Sequence, residues 1–102
     1  MALDFVVLGS DGRPAKSVAL NLDEHWALVT AARSKGARCL GRLDDYYQDI
    51  EFSSDRLGEL TADAELLRKD EARTELRGFL DDLIELIAIA RSANQSVHAL
   101  AD

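Results

Sequence analysis

The side chains of this chain best suited to chemistry are the carboxylates of Leu43–Asp55, which reads LDDYYQDIEFSSD and is called the acidic segment below. Its 13 residues include five acids, two adjacent tyrosines and no Lys or Arg, so it contributes −5 to a formal net charge of −7. Grouped carboxylates can bind a divalent cation, exchange protons during hydrolysis, or attract a basic partner. The spacing of the acids and the residues around them decide among these three.

A metal site is the strongest enzymatic interpretation of the acidic segment, but the spacing argues against it. The acids do not form an Asp-x-Asp-x-Asp-Gly loop with a distal Glu, and no histidine lies nearby in sequence. We therefore predict no metal and no cofactor. A metal-dependent hydrolase that uses Asp44, Asp45, Asp49 and Glu51 remains a less favoured alternative.

Nucleophilic catalysis needs a nucleophile, a base and a group that orients the base. The chain has two histidines, His25 and His98, and both are interpreted as ordinary surface or half-buried residues. Cys39 is interpreted as an inert core residue. No GxSxG, P-loop, GxGxxG or CxxC motif is present. We predict no catalytic residues and no enzymatic activity.

The adjacent tyrosines favour a protein-binding role. Neighbouring residues on a helical turn point about 100° apart, so Tyr46 and Tyr47 cannot both face one core. One of them, which the sequence does not single out, is predicted to be exposed among the acids, where a Tyr can anchor an interface. The predicted partner-binding residues are those of the acidic segment that carry charge or a phenol: Asp44, Asp45, Tyr46, Tyr47, Asp49, Glu51 and Asp55.

The overall composition restricts the class of partner and the compartment. The 102 residues form one predicted domain, 1–102, and the 47% apolar and 30% charged content is that of an ordinary globular protein. A pI near 4.7 argues against nucleic acid or an anionic membrane as partner. A single cysteine fits a reducing cytoplasm. The N-terminal run lacks a basic flank and is interrupted by Asp4, so no signal peptide is predicted.

The elements that position the acidic segment begin with a predicted hairpin. A strand at 2–8 has a continuous apolar run, which favours a central place in a sheet. The turn signal GSDGRP and a second strand at 16–20 follow. A helix is predicted at 22–35, capped by Asn21 and ended by Gly36, with Leu22, Trp26, Val29 and either Ala32 or Arg33 along one side.

The remainder of the chain is predicted to contain two more helices and a final strand. Residues 37–41 fit either a short strand or a loop, 43–48 one helical turn, and 50–52 a brief extended piece. Ser53 or Ser54 is expected to cap a helix that ends near Arg68 or Lys69. A longer helix starts at Asp70 or Glu71, and 97–101 is predicted to be a strand that pairs with the first.

These elements predict an α+β fold. A small, mainly antiparallel sheet, made of the N-terminal hairpin and the C-terminal strand, is expected to pack against three helices. The third helix has the strongest apolar periodicity in the chain, and its stripe is formed by Leu76, Phe79, Leu80, Leu83, Ile84, Ile87 and Ala90, with Leu86 and Ile89 at its sides. This helix is predicted to be the centre of the core.

The centre and the end of the chain resemble a known class of bacterial proteins. Residues 42–53 read RLDDYYQDIEFS, two amphipathic helices follow at 54–69 and 71–92, and the chain ends VHALAD. This pattern resembles immunity proteins of contact-dependent growth inhibition and related polymorphic toxin systems. The resemblance implies a cytoplasmic protein that binds and neutralises the C-terminal toxin domain of a large secreted effector. Many such toxins are basic nucleases.

The acidic segment and the resemblance together predict an immunity protein whose partner is a basic toxin domain. One alternative is a structural or scaffolding module that self-associates through the apolar stripe of the third helix. The metal-dependent hydrolase is another. A homo-oligomer is not predicted, and neither the activity of the toxin nor the way it is blocked follows from the sequence.

Overall fold

The computed structural model describes residues 3–8, 14–44 and 48–101, with the side chains of 8, 14–16 and 44 excepted. The strands within these residues are β1 (Leu3–Leu8), β2 (Pro14–Leu20), β3 (Ile50–Phe52) and β4 (Val97–Ala101). The helices are α1 (Leu22–Lys35), α2 (Arg38–Gly41), α3 (Leu57–Asp70) and α4 (Thr74–Ser92), and two 3₁₀ turns lie at Arg42–Asp44 and Ser54–Arg56.

The strands form one antiparallel sheet in the order β2-β1-β4-β3, so the predicted α+β fold is confirmed. The apolar β1 lies between β2 and β4, as its continuous apolarity predicts. Val97–Ala101 is the predicted final strand, and it pairs with β1. The extended piece at 50–52 pairs with β4 and makes a fourth strand of the sheet, which the sequence pattern did not predict.

The helices cover one face of the sheet. Phe5 contacts Phe79 of α4 edge to face, with ring centroids 5.4 Å apart. Because side chains alternate along a strand, Leu3 and Val7 share this inner face with Phe5, and all three are buried. Asp4 and Val6 point to the opposite, outer face of the sheet.

Helix α1 has the bounds that its capping residues predict. Asn21 Oδ1 accepts a hydrogen bond from the Glu24 N–H at 2.8 Å, and Glu24 Oε1 accepts one from the Asn21 N–H at 3.1 Å. This reciprocal pair is a capping box, which satisfies two backbone donors at the start of the helix. Gly36 ends the helix in the left-handed region, at φ +73°.

The prediction of which residues of α1 lie together on its core-facing side is partly wrong. Val29 and Ala32 are buried, but Trp26 is 54% exposed and Leu22 is 43% exposed. The core-facing residues are His25, Leu28, Val29 and Ala32. His25 is fully buried, so its interpretation as a surface or half-buried residue is also wrong.

Residues 38–41 form the helix α2, which is neither the strand nor the loop predicted for 37–41. The Ala37 side chain at its start offers no cap. Asp63 of α3 supplies one instead, because its Oδ2 accepts the N–H of Cys39 at 2.8 Å and the N–H of Leu40 at 3.3 Å. Because the capping residue lies 24 residues away in sequence, the residues around 38–41 carry no local signal that a helix starts there.

Helices α3 and α4 bury the predicted stripes, with small differences at their starts. A 3₁₀ turn at Ser54–Arg56 precedes α3. Glu71 accepts the backbone N–H of Arg73 at 3.0 Å, which keeps 71–73 extended, so α4 begins at Thr74 rather than at 70 or 71. Leu86 is buried together with the stripe of α4, while Ile89 is 39% exposed.

Candidate functional site

The second half of the acidic segment lies on the edge strand β3, where alternation divides its side chains between the two faces of the sheet. Phe52 points inward and is fully buried in the core, and Ile50 packs against that core. Glu51 points to the outer face, and Asp49, one residue before the strand, continues the same alternation. Both acids are exposed, so the apolar residues anchor the strand while the two carboxylates face outward.

Asp49 also has a structural contact that has no signal in the sequence. Its Oδ1 accepts the backbone N–H of Ala101 at 2.7 Å. The bond joins the start of β3 to the end of β4 and so fixes the position of this part of the acidic segment. An isosteric Asn could still accept this hydrogen bond, which separates the structural role of Asp49 from its charge.

His98 lies beside the acidic segment, although the sequence pattern assigns it no role. The register of β3 and β4 places Glu51 opposite His98, and Glu51 Oε2 is 4.0 Å from His98 Nε2. Their side chains are 58% and 26% exposed. A protonated His98 would form an ion pair with Glu51. This proximity could have been predicted only with the pairing and register of β3 and β4.

Asp55 is exposed in the 3₁₀ turn that follows β3. The Ser53 hydroxyl donates a hydrogen bond to Asp55 Oδ1 at 2.6 Å, and this bond lowers the pKa of the Asp55 carboxyl. Ser53 precedes the turn but makes no side-chain cap to its backbone. Asp49, Glu51 and Asp55 thus present three exposed carboxylates within seven residues of chain.

The other predicted binding residues lie at or beyond the edge of what the structure describes. The backbone of Asp44 completes the 3₁₀ turn Arg42–Asp44, whereas Asp45, Tyr46 and Tyr47 lie outside the described residues. The predicted helical turn at 43–48 therefore has a described counterpart only at its beginning. The exposure of one tyrosine stays a prediction.

The fold places cations next to the acidic segment. The Arg42 guanidinium lies 5.4 Å from the centroid of the Phe52 ring, within the range of a cation–π contact, and Arg42 lines a depression together with Gln48–Glu51. A neighbouring cleft of about 440 Å³ contains Arg38, Arg42 and Arg56 together with Glu59 and Asp63. The acidic surface is therefore bounded by arginines: Arg42 and Arg56 directly flank the acidic segment in sequence, and Arg38 joins them through α2.

Cys39 borders this arginine cleft, but its surroundings make it a poor nucleophile. Burial raises the pKa of the Cys39 thiol, and the negative charges of Asp63 and Glu59 raise it further. The thiol donates toward Glu59 Oε2 at 3.7 Å. A thiol with a raised pKa stays protonated near neutral pH, which agrees with the interpretation of Cys39 as an inert residue.

Trp26 and Leu22, which belong to the predicted stripe of α1, form an exposed apolar pair one turn apart. Trp26 packs edge to face on His25, with centroids 5.3 Å apart. The His25 Nε2 in turn donates a hydrogen bond to the Leu43 carbonyl at the start of the acidic segment. Exposed Trp is enriched among residues that dominate binding energy, so this pair extends the candidate surface onto α1.

Residues 3–8, 14–44 and 48–101 offer neither a metal site nor a membrane span. No three His, Cys, Asp or Glu side chains in these ranges gather where they could hold a metal ion. The same ranges contain no helix that is both long enough and apolar enough to cross a bilayer.

Comparison with known proteins yields no relative for this arrangement. No family model, curated protein or solved structure shows a significant match to the chain. The geometry of the described residues and the pattern of the sequence are therefore the basis for assigning a function.

Proposed function

We propose that this protein is a cytoplasmic immunity protein that binds and neutralises the basic C-terminal toxin domain of a contact-dependent growth inhibition effector. The observation that carries the proposal is the outward display of Asp49, Glu51 and Asp55 on and beside a strand anchored by Phe52. The resemblance of residues 42–53 to immunity proteins supports the same assignment. A nuclease is the favoured class of toxin, because its substrate-binding cleft has to be basic.

The proposed binding surface combines charge with apolar anchors. The carboxylates steer a basic partner toward the surface and disfavour acidic ones. Trp26, Leu22 and one of the two tyrosines provide the apolar area that stabilises the complex after encounter. Such an interface would bury about 1,600 Å² in total, which requires more surface than the acidic segment alone.

The self-association alternative has less support. It needs the apolar stripe of α4 to be available, but Leu83, Leu86 and Ile87 are fully buried in the core of one chain. Among the described residues of α4, Ile89 is the large apolar side chain that remains substantially exposed. One side chain provides little area for a stable dimer.

A binding experiment with the partner encoded beside this gene tests the proposal. The C-terminal domain of a large secreted protein encoded there should copurify with this chain. Trp26 is the single Trp of the chain and provides a fluorescence signal if the toxin domain lacks Trp. We expect fast association at low salt that slows as the salt concentration rises.

Charge variants test the role of the acidic segment. Asp49→Asn combined with Glu51→Gln should slow association about threefold to tenfold at low salt and weaken its salt dependence. Glu65→Gln combined with Asp81→Asn removes the same charge from exposed positions on α3 and α4 and should leave the rate nearly unchanged. Equal rates for the two double variants would exclude steering by the acidic segment, and failure to bind the toxin domain at all would reject the proposed function.

A further inference from the structure

The edge of the sheet opposite β3 is formed by β2. Strand β2 lies there, bonded to β1 on one side, and no strand in the described ranges pairs with its other side. The backbone N–H and C=O groups along an unpaired edge are available to another strand. With seven residues against the three of β3, β2 offers the longer of the two edges.

A groove of about 540 Å³ follows this edge. Its strand side is formed by Ser17, Val18 and Ala19, and its helix side includes Gly78 and Phe79 of α4. Successive side chains of a strand point to opposite faces. A groove that contacts three consecutive strand residues therefore runs along the edge of the sheet rather than over one of its faces.

The groove is lined by acidic side chains, which favour a basic occupant. Three carboxylates line it, those of Glu24, Glu75 and Asp82, and its lining includes no Lys or Arg among the described side chains. Neither Glu75 nor Asp82 forms an ion pair within the described part of the chain. The adjacent Asp81, in contrast, is paired with Arg68 of α3. The groove therefore carries negative charge that the described fold leaves uncompensated.

We propose that this groove binds an extended, Lys- or Arg-containing segment of another protein, which adds to β2 as a further strand. Backbone hydrogen bonds to the β2 edge would supply affinity, and ion pairs with Glu75 and Asp82 would supply specificity. A second copy of this chain is disfavoured as the occupant, because it would bring its own three carboxylates to the same place.

The helix side of the groove has the spacing for such a segment. Glu75 and Asp82 are seven residues apart, which is about 10.5 Å along the helix axis. Side chains on one side of a strand repeat about every 6.8 Å, so the long side chains of two basic residues at alternate positions have to spread by about 4 Å to reach both acids. Gly78 lies between them, and a Cβ built there would meet no atom within 4 Å, so the groove is open between the acids.

This proposal does not depend on the function proposed above, because β2 and β3 are opposite edges of the sheet. Its test uses a synthetic seven-residue peptide that alternates Lys with Val. The control peptide has the same sequence with every backbone amide nitrogen methylated, which removes the donors on both edges of the peptide strand but leaves the charge unchanged. Both peptides are titrated into the ¹⁵N-labelled protein, and amide shifts and amide exchange are measured by NMR.

We expect the first peptide to shift the amides of Ser17–Leu20 and Gly78 and to slow exchange at alternate amides of β2. The N-methylated peptide should bind at least fivefold more weakly. Glu75→Gln combined with Asp82→Asn should weaken the first peptide at least fivefold and remove most of its salt dependence. Glu65→Gln combined with Asp81→Asn removes equal charge outside the groove and should not change the dissociation constant. Gly78→Leu should block binding without a change of charge.

Several results would overturn the proposal. These are the absence of shifts at β2 at millimolar peptide, equal binding of the two peptides, shifts confined to the acidic segment, and a concentration-dependent dimer that accounts for the protection of β2. Matching thermal unfolding curves for each variant and the wild-type protein exclude loss of fold as the cause of weak binding.

Discussion

The buried imidazole of His25 donates a hydrogen bond from Nε2 to the backbone carbonyl of Leu43. The two residues are 18 positions apart in sequence, and both are fully buried. The bond joins the first turn of α1 to the 3₁₀ turn at the start of the acidic segment. His25 is thus a structural residue whose side chain positions the start of the candidate binding surface.

Replacement of His25 is expected to destabilise the fold. His25→Ala removes a buried ring and leaves the Leu43 carbonyl without this donor, so the free energy of unfolding should fall by about 2–4 kcal/mol. His25→Gln, which keeps an N–H donor, should recover part of the loss. His98→Ala is the matched control and should cost less than about 1 kcal/mol, because the His98 side chain is 26% exposed. Urea unfolding curves measure all three, and equal losses for the two histidines would contradict the assignment.

Asp63 is expected to control both α2 and the reactivity of Cys39. Asp63→Ala removes the acceptor for two N–H groups at the start of α2 and should lower the free energy of unfolding by about 1–2 kcal/mol. Hydrogen exchange at the Cys39 and Leu40 amides should become faster. Loss of the Asp63 charge also lowers the pKa of the Cys39 thiol, so alkylation by iodoacetamide near neutral pH should be faster than in the wild-type protein. Asp63→Asn keeps an acceptor and serves as the control for exchange, which should then change little.

Glu71 is expected to contribute stability that depends on pH. Its side chain is only 8% exposed, and hydrogen bonds from the Arg73 side chain hold the pKa of Glu71 below its usual range. A lowered pKa in the folded state stabilises the protein above the unfolded pKa of about 4.3, and this stabilisation is lost as the pH falls through the folded value.

Glu71→Gln should therefore lower the free energy of unfolding by about 1–2 kcal/mol at pH 7. The difference from the wild-type protein should shrink as the pH falls below about 4. Glu65→Gln, at an exposed position of α3, should change the free energy of unfolding by less than about 0.5 kcal/mol. Unfolding free energies measured from pH 3 to pH 7 test this, and a difference that grows toward low pH would contradict it.

Two glycines are expected to respond in opposite directions to alanine. Gly78 lies in the interior of α4, where an added methyl group would meet no atom within 4 Å, so Gly78→Ala should raise the free energy of unfolding by about 1 kcal/mol. Gly36 ends α1 at φ +73°, a conformation that costs an L-residue about 1–2 kcal/mol. Gly36→Ala should therefore destabilise the protein, and thermal unfolding distinguishes the two variants.

Local signals in the sequence were sufficient for most of the fold. The capping box of Asn21 and Glu24 and the glycine at 36 lie next to the helix ends that they specify, so α1 could be placed from residues 21–36 alone. The apolar spacing of α3 and α4 is likewise a local property. The inner side of α1 was harder to predict, because His25 and Trp26 are both amphipathic and occupy neighbouring positions on the helix. Burial of His25 rather than Trp26 depends on the Leu43 carbonyl, which only the folded chain brings near.

The charge of the acidic segment and the order of the main elements can be read from the amino-acid sequence alone, because they follow from composition and from short-range periodicity. The groups that surround the acids, in contrast, depend on how the folded elements pack together. His98 opposite Glu51 and the bond between Asp49 and Ala101 depend on the register of β3 against β4. Arg42 beside Phe52 depends on how the 3₁₀ turn Arg42–Asp44 packs next to β3. The groove along β2 likewise depends on the packing of α4 against the sheet. Contacts between residues far apart in sequence arise from the docking of whole elements, and local patterns do not encode that docking.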